Sequence, residues 1–360
     1  MTRSPQMQRE AIPVTSLRFA SLDGATAEIH WNGAHITSWR PARANRERLF
    51  LSRRTGRGDG VAIRGGIPVI FPQFASEGPL PKHGFARTAR WELREQTENG
   101  VVTFELRDTD ATRAIWPASF LATLTARIGG RELAITLTVE NTGDAAFHFT
   151  AALHTYLRVD DIAQAEVAGL HGSRYRVSSA PNELRVDSDD VLHFTGEIDR
   201  VYVSAPQRVT LREPGREMHV DSTSFPDVVI WNPGAEKAAA IADMEPGGER
   251  HMLCIEAGAI QEPVPLVPGQ TWSATQILIV TDDAAEDAPP IDALPMHRPP
   301  AEPISGDARR DFAEKIQQME AFVETAKASG EEVPPEVLEV MTHLREILAA
   351  LDGLTKELGG

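Results

Sequence analysis

The chain has 360 residues, of which 41% are hydrophobic and 24% are charged, a composition typical of a folded protein. Its formal net charge of −16 at pH 7 argues against a nucleic acid as partner, because neutralising a phosphate backbone requires net positive surface. A small phosphorylated ligand remains compatible with this charge, since a local cluster of arginines binds such a ligand on an acidic protein.

The sequence also indicates where the protein resides. No stretch reaches the roughly 18 apolar residues that a membrane span needs, and residues 1–10 lack the apolar core of a secretion signal. The single cysteine, Cys254, excludes an intrachain disulfide; its apolar surroundings indicate a small residue of the core. We therefore expect a cytoplasmic protein with no membrane association.

Residues 11–282 have the pattern of a β-protein. Segments rich in Val, Ile, Thr and Phe alternate with Gly, Asn-Gly, Asp-Gly and Pro turns, and we find no helical pattern between them. The clearest alternation of apolar and polar residues runs from Arg131 to Gly143. Similar strands are predicted at 101–106, 147–154, 228–231 and 271–280. Many such strands predict a large antiparallel β-sandwich.

The composition changes at residue 283. Residues 283–304 contain six prolines among Asp, Glu and Ala, which is typical of an extended linker. Beyond it, apolar residues recur at spacings of three and four, interrupted near Gly330 and Pro334. This pattern predicts a hairpin of two amphipathic helices over 305–358. Because a hairpin alone buries little apolar surface, we expect it to pack on the β-domain, on a second copy of the chain or on a partner protein.

Two loops of the β-domain carry basic residues. Arg64 precedes Gly65-Gly66-Ile67-Pro68, and two glycines would let the backbone approach a ligand closely; a tight turn entering a strand is the simpler interpretation. Lys82, His83 and Arg87 lie within six residues, a density that suits a phosphate clamp as well as a solvated basic loop.

Two strands carry a titratable residue in an apolar context. His154 ends the apolar run Ala152-Leu153, where a histidine is more often a hydrogen-bonded core residue than a catalyst. Glu256 follows Cys254-Ile255, and burying a carboxylate costs several kcal/mol unless it has a partner. On physical grounds alone, Glu256 is therefore the strongest functional candidate in the chain.

The order of five motifs adds to this interpretation. The motifs are Arg-Gly-Gly-Ile-Pro at 64–68, His-Gly-Phe-Ala-Arg at 83–87, Leu-His-Thr-Tyr at 153–156, Val-Ile-Trp-Asn-Pro at 229–233 and Cys-Ile-Glu-Ala at 254–257. Together, over residues 14–282, they resemble the glucose-6-phosphate 1-epimerase (hexose-6-phosphate mutarotase) family of the aldose-1-epimerase superfamily. The resemblance implies a galactose-mutarotase-like β-supersandwich, no metal or organic cofactor, and a His/Glu pair at the anomeric carbon of a sugar.

The resemblance also implies roles for individual residues. It makes His154 the general acid and Glu256 the general base of an enzyme that interconverts the α and β anomers of a hexose 6-phosphate, by opening and closing the sugar ring. The implied substrate-binding residues, with Arg64 and Arg87 on the phosphate and Lys82 as a further cation, are Arg64, Lys82, His83, Arg87, Asp199 and Asp243.

Departures from the family pattern leave the sugar open. Lys82 stands where glutamine is common, Ala75 where glycine is usual, and Val177 where an aspartate is usual. An epimerase for an unphosphorylated or different sugar is one alternative. A sugar-binding scaffold that recruits a partner through its helical tail is another. A two-carboxylate glycosidase, which would need a second placed carboxylate such as Asp199 or Asp243, matches the motifs less well.

Overall fold

Most of the chain forms antiparallel β-strands, as the alternation of apolar and polar residues predicts. A computed structural model describes residues 15–281, with the exception of 43–45, 57 and 59. The five predicted strands coincide with observed strands whose ends differ by a few residues at most. The predicted linker at 283–304 and the predicted helical hairpin at 305–358 lie outside the described residues.

The strands, numbered in chain order, belong to three sheets. The first contains β1 (Ser16–Ala20), β2 (Thr26–His30) and β3 (His35–Arg40). The second contains eight strands: β4 (Val69–Ile70), β9 (Phe147–Leu153), β10 (Tyr156–Arg158), β12 (Arg174–Val177), β13 (Ala180–Val186), β15 (Ile198–Val203), β18 (Asp227–Asn232) and β19 (Met252–Leu266). The third contains nine strands: β5 (Glu92–Gln96), β6 (Val101–Arg107), β7 (Phe120–Ile128), β8 (Glu132–Asn141), β11 (Glu166–Ala168), β14 (Val191–His193), β16 (Arg208–Glu213), β17 (Arg216–Thr223) and β20 (Thr271–Val280).

The strand order brings distant parts of the chain together. The eight-stranded sheet has the order β13–β12–β15–β18–β19–β9–β4, and β10 also pairs with β19. The nine-stranded sheet has the order β14–β11–β16–β17–β20–β8–β7–β6–β5. In the described part of the chain, all pairings between these strands are antiparallel. The predicted antiparallel β-class is therefore confirmed.

One apolar core joins the two large sheets. Leu137 of β8 and Leu278 of β20 are fully buried and pack in the same cluster as Ile230 of β18 and Ile255 of β19. The two sheets thus form a sandwich. Because side chains alternate between the two faces of a strand, the neighbours of Ile230 and Ile255 in sequence lie on the opposite face of the eight-stranded sheet, away from this core.

Two short helices were not predicted. Helix α1 (Asp110–Ile115) begins at Thr109, whose side chain accepts a hydrogen bond from the backbone of Thr112. Helix α2 (Gly234–Ala239) follows β18, and 3₁₀ turns occur at Ala86–Thr88, Ile162–Gln164 and Gly248–His251. Each α-helix has six residues, too few to show a helical period in the sequence. No helix among the described residues is long and apolar enough to cross a membrane.

The glycines after Arg64 serve the packing of the chain itself. A Cβ atom on Gly65 would lie 2.3 Å from the carbonyl oxygen of Phe50, and one on Gly66 would lie 2.3 Å from that of Ile36. Both glycines have positive φ, at +118° and +62°. The close approach of Phe50 and Ile36 therefore favours the simpler interpretation of this sequence, a tight turn entering a strand.

This close approach predicts that Gly66→Ala destabilises the fold. We expect a loss of about 2–5 kcal/mol in the free energy of unfolding, from the left-handed backbone and the collision with Ile36 together. Gly172→Ala is the matched control, because Gly172 has φ +75° and open space around its Cα. The control should lose only about 1–2 kcal/mol. Urea unfolding followed by circular dichroism measures both; equal losses would contradict the assigned collision.

Candidate active site

A cavity of about 570 Å³ opens on the face of the eight-stranded sheet that points away from the core. Its floor comes from β15, β18 and β19, and a loop spanning residues 74–83 forms one wall. Six of the eight predicted site residues line this cavity: Arg64, Lys82, His83, His154, Asp199 and Glu256. The remaining two, Asp243 and Arg87, do not line it but contact residues that do, Arg64 and Lys82 respectively.

Strand register sets His154 opposite Glu256. Leu153 pairs with Ala257 and Tyr156 pairs with Cys254, so the intervening His154 faces Glu256 across the junction of β9 and β10 with β19. The His154 Nδ1 and Glu256 Oε1 atoms are 3.3 Å apart. Glu256 is 1% exposed and His154 is 9% exposed.

Burial favours the neutral form of both side chains. It lowers the pKa of His154 well below its usual value, and the nearby His83 and Arg64 lower it further. Burial also raises the pKa of Glu256 well above its usual value, and the charge of Asp199 adds to this effect. A neutral pair and an ion pair contain the same number of protons. They differ only by the transfer of one proton between the two side chains.

His83 presents a hydrogen-bond donor to the cavity. Its Nδ1 accepts a hydrogen bond of 3.2 Å from the backbone N–H of Ala75. Burial, followed by the charges of Arg87, Lys82 and Arg64, lowers the pKa of His83 to about 3, so the ring is neutral near pH 7. Because Nδ1 is the acceptor, the proton of the neutral ring must be on Nε2.

Arg64 is held in place by two side chains. Its Nε donates to Oδ1 of Asp243 at 3.1 Å, and its Nη1 donates to the Tyr156 hydroxyl at 3.0 Å. Burial by itself would lower the pKa of Arg64, but Tyr156 and Asp243 outweigh it and the pKa is raised. Asp243 therefore contacts the predicted phosphate ligand Arg64 and does not itself line the cavity.

Arg87 is a largely enclosed cation. Its Nη2 donates to the carbonyl oxygen of Lys82 at 3.0 Å, and its buried Nε has no hydrogen-bond partner among the described residues. Burial lowers the pKa of Arg87, and the nearby Arg64 lowers it further. Within the described chain, no carboxylate forms an ion pair with Arg87 or with the exposed Lys82, so both cations are available to an anion.

Asp199 lies at the other side of the cavity. It pairs in register with Trp231, and its Oδ1 accepts a hydrogen bond of 2.7 Å from Ser178. Burial raises the pKa of Asp199 above its usual value, an effect only partly offset by Ser178. Nearby, Lys237 of α2 lines the same cavity and forms a 2.7 Å ion pair with Glu197.

Several residues that line the cavity or pack against His154 carried no assigned role in the sequence. Tyr156 stacks on His154 with ring centroids 4.8 Å apart, and Trp231 approaches His154 edge-on at 5.9 Å. Tyr156 lies in the motif at 153–156 and Trp231 in the motif at 229–233. The spacing of two residues between His154 and Tyr156 already indicated that they share a face of the strand. Two other lining residues, Glu77 and Lys237, had no such signal, because Glu77 lies in a loop and Lys237 in a short helix. Glu77 is held by two hydrogen bonds from the buried Arg176.

The described domain matches one known family. Residues 16–278 match the family model described as aldose 1-epimerase. A protein of Escherichia coli K12 named "Putative glucose-6-phosphate 1-epimerase" is 33% identical over 266 residues, which cover 72% of this chain and 88% of that protein. A protein of Cenchrus ciliaris with the same name is 34% identical over 259 residues, or 68% of this chain and 78% of that protein.

Solved structures confirm the predicted galactose-mutarotase-like fold. The crystal structure of a "putative mutarotase" from Salmonella typhimurium is similar with a TM-score of 0.66 and 30% identity, covering 76% of this chain and 96% of that one. A "galactose mutarotase related enzyme" from Lactobacillus acidophilus has a TM-score of 0.60 and 18% identity, covering 74% and 97%. The second similarity shows the fold alone.

The buried carboxyl predicts a stability cost that grows with pH. Because the pKa of Glu256 is raised in the folded state, the unfolded chain loses this proton first as the pH rises above about 4.5. The fold is then destabilised by up to about 1.4 kcal/mol per pH unit until the folded carboxyl also ionises. Glu256→Gln removes this titration, so its unfolding free energy relative to wild type should increase between pH 5 and pH 8.

Glu262→Gln is the matched control, since Glu262 lies on the same strand and is exposed. Its difference from wild type should stay constant over the same pH range. Urea unfolding at each pH provides the measurement. A Glu256→Gln difference that stays flat or decreases with pH would show that the carboxyl is not held in its neutral form.

Proposed function

The chain belongs to the aldose 1-epimerase family, and we propose that it interconverts the α and β anomers of a hexose 6-phosphate. The observation that carries this proposal is the buried His154–Glu256 pair, 3.3 Å apart at the floor of a cavity with cations beside it. Anomer exchange needs one proton added to the ring oxygen and one removed from the C1 hydroxyl. A pair that holds one mobile proton is suited to this reaction.

The proton route follows from the positions of the donor atoms. His154 Nδ1 is buried next to Glu256, which leaves Nε2 as the nitrogen available to the sugar. In the charged form of the pair, His154 donates from Nε2 to the ring oxygen while Glu256 accepts the proton of the C1 hydroxyl. The C1–ring oxygen bond breaks, C1 becomes an aldehyde carbon, and rotation about C1–C2 precedes closure on the other face. The roles reverse on closure.

Burial acts in opposite directions on the formation of the charged pair and on ring opening from it. Before opening, the pair is charged, with a proton on His154 and a carboxylate on Glu256. After opening, His154 has given up one proton and Glu256 has gained one, so both are neutral. Because the desolvated site favours neutral forms, the step from the charged pair to the open-chain sugar is favoured, whereas forming the charged pair from the neutral pair costs free energy.

Arg64 and Arg87 supply the proposed phosphate site. Arg64 lines the cavity with its guanidinium fixed by Asp243 and Tyr156, and Arg87 contributes an enclosed cation with no carboxylate partner in the described chain. A planar guanidinium binds phosphate oxygens in a defined geometry. Holding the phosphate here would keep C1 at the His154–Glu256 pair. Fixing the reacting atoms in this way accelerates a reaction, because the entropy cost of aligning them is met when the substrate binds.

The other lining residues suit sugar hydroxyls. His83 offers an Nε2–H donor, and Asp199 offers a carboxylate acceptor on the opposite side of the cavity. Trp231 gives an apolar surface between them, which suits the C–H face of a sugar ring.

The acid–base roles predict the effect of removing either side chain. His154→Ala and Glu256→Gln should each reduce the rate of anomer exchange of glucose 6-phosphate by roughly 10²- to 10⁴-fold. NMR saturation exchange between the two anomers measures this rate directly, and Glu262→Gln serves as control. Folding is checked by circular dichroism. Full activity in both variants would exclude the proposed mechanism.

The phosphate site predicts a change in affinity that depends on the substrate. Arg87→Gln should raise the KM for glucose 6-phosphate by at least about 10-fold, because a charge-assisted contact to phosphate contributes about 1.5–3 kcal/mol. The KM for glucose should change little. Arg90→Gln, at a nearby exposed arginine, is the matched control. Equal KM changes for both sugars, or none, would favour an epimerase for unphosphorylated aldoses.

A further inference from the structure

We propose that His154, Cys254 and Glu256 form a binding site for a thiophilic divalent cation of the Zn²⁺ class, which inhibits the enzyme. One imidazole nitrogen, the Cys254 sulfur and one Glu256 oxygen all lie within 4.8 Å of one another. Among the described residues, this is the one group of His, Cys, Asp and Glu side chains close enough together to hold a metal ion. The cation would be an inhibitor and not a cofactor.

The strand pattern explains why the three groups meet. Cys254 and Glu256 are two residues apart on β19 and therefore project from the same face. The adjacent β10 pairs Tyr156 with Cys254, and the same register continues to His154 opposite Glu256. The sulfur thus lies next to the proposed acid–base pair and on its side of the sheet.

Two potential metal-ligand atoms of this cluster are buried without a hydrogen-bond partner. His154 Nδ1 and Glu256 Oε2 have no hydrogen-bond partner among the described residues. Buried polar atoms without a partner are uncommon in folded proteins, and a bound ion is one established way to satisfy them. The cavity reaches the cluster from solvent, since His154 and Glu256 line it, while Cys254 lies behind them and is fully buried.

The set of donors selects the type of metal. Nitrogen, thiolate sulfur and carboxylate oxygen are the usual ligands of Zn²⁺, whereas Mg²⁺ prefers oxygen ligands. Tetrahedral Zn²⁺ with bonds of about 2.0–2.3 Å needs ligand atoms about 3.6 Å apart. The 3.3 Å between His154 Nδ1 and Glu256 Oε1 is already close to this distance, and the Cys254 sulfur, within 4.8 Å of the other ligand atoms, would have to move closer for all three to bind. A water molecule or a sugar hydroxyl would complete the coordination.

Charge and proton balance explain the inhibition. Zn²⁺ bound to a thiolate, a carboxylate and a neutral imidazole gives a site with no net charge, which suits burial. Binding releases two protons to solvent, one from the Cys254 thiol and one from the His154–Glu256 pair. The pair then has no proton to transfer, so ring opening stops. The binding itself does not depend on the proposed function; only the inhibition rests on it.

Co²⁺ replaces Zn²⁺ in a test that needs no activity. Co²⁺ bound to a thiolate absorbs in the near ultraviolet, and Cys254 is the only cysteine of the chain. The full-length protein titrated with Co²⁺ should develop this band, and Zn²⁺ but not Mg²⁺ should remove it. Cys254→Ala should lack the band. Absence of the band in the wild-type protein overturns the proposal.

Two further variants test the other ligands. Glu256→Gln should keep the band but bind Co²⁺ at least about 10-fold more weakly, as even indirect partners of a metal site contribute that much. His193→Ala is the control, because it removes an exposed histidine 3.8 Å from Glu166 and should leave the affinity unchanged. An unchanged affinity in Glu256→Gln overturns the three-ligand site.

Inhibition is measured separately by anomer exchange. Zn²⁺ should inhibit the wild-type protein, and Cys254→Ala should keep its activity and need at least about 10-fold more Zn²⁺ for the same inhibition. Equal sensitivity of the two proteins overturns the inhibitory role. If the wild-type protein has no epimerase activity, the proposed function fails, while the Co²⁺ band still decides whether the metal site exists.

Discussion

The carboxyl of Glu256, buried opposite His154, is the constraint around which the site is organised. A carboxylate placed there without a partner would cost several kcal/mol. The structure meets this cost by placing an imidazole 3.3 Å away and by shifting both groups toward their neutral forms. In the proposed mechanism, the two side chains share one proton. The proposed chemistry therefore depends on an arrangement that the fold maintains at a cost in stability.

The cations around this pair are fixed by contacts that also reach His154. Tyr156 stacks on the His154 ring and accepts a hydrogen bond from Arg64, and Asp243 holds the other side of the Arg64 guanidinium. Arg64 is therefore linked to the His154 imidazole through Tyr156 alone, and a phosphate bound at Arg64 would lie close to the acid–base pair in this chain of contacts. In the proposed mechanism, recognition of the substrate and alignment of the acid–base pair share these side chains, so Tyr156 and Asp243 would act as positioning residues.

The period of two residues in β-strands determined how much of the site was predictable. The alternation predicted β8 and β20 closely, and the apolar context of Glu256 predicted a buried carboxyl and made it the strongest functional candidate. The resemblance to a family was needed for His154, whose context fits a core histidine equally well. Lys237 and Glu77 were not predictable, because a six-residue helix and a loop carry no period. The role of Asp243 depends on a contact with Arg64 across 179 residues, which sequence spacing does not reveal.

The same alternation gives the site its proposed sensitivity to metals. A strand that projects Glu256 toward the cavity necessarily projects residue 254 to the same side, and in this chain that residue is a cysteine. An alanine there would occupy the same position between Tyr156 and Trp231 and would offer no ligand. The buried polar atoms of His154 and Glu256 that suit proton transfer also suit coordination of a cation. The residue at position 254 decides whether a third ligand is present. If both proposals hold, one substitution at position 254 separates the proposed catalysis from the proposed inhibition by metal.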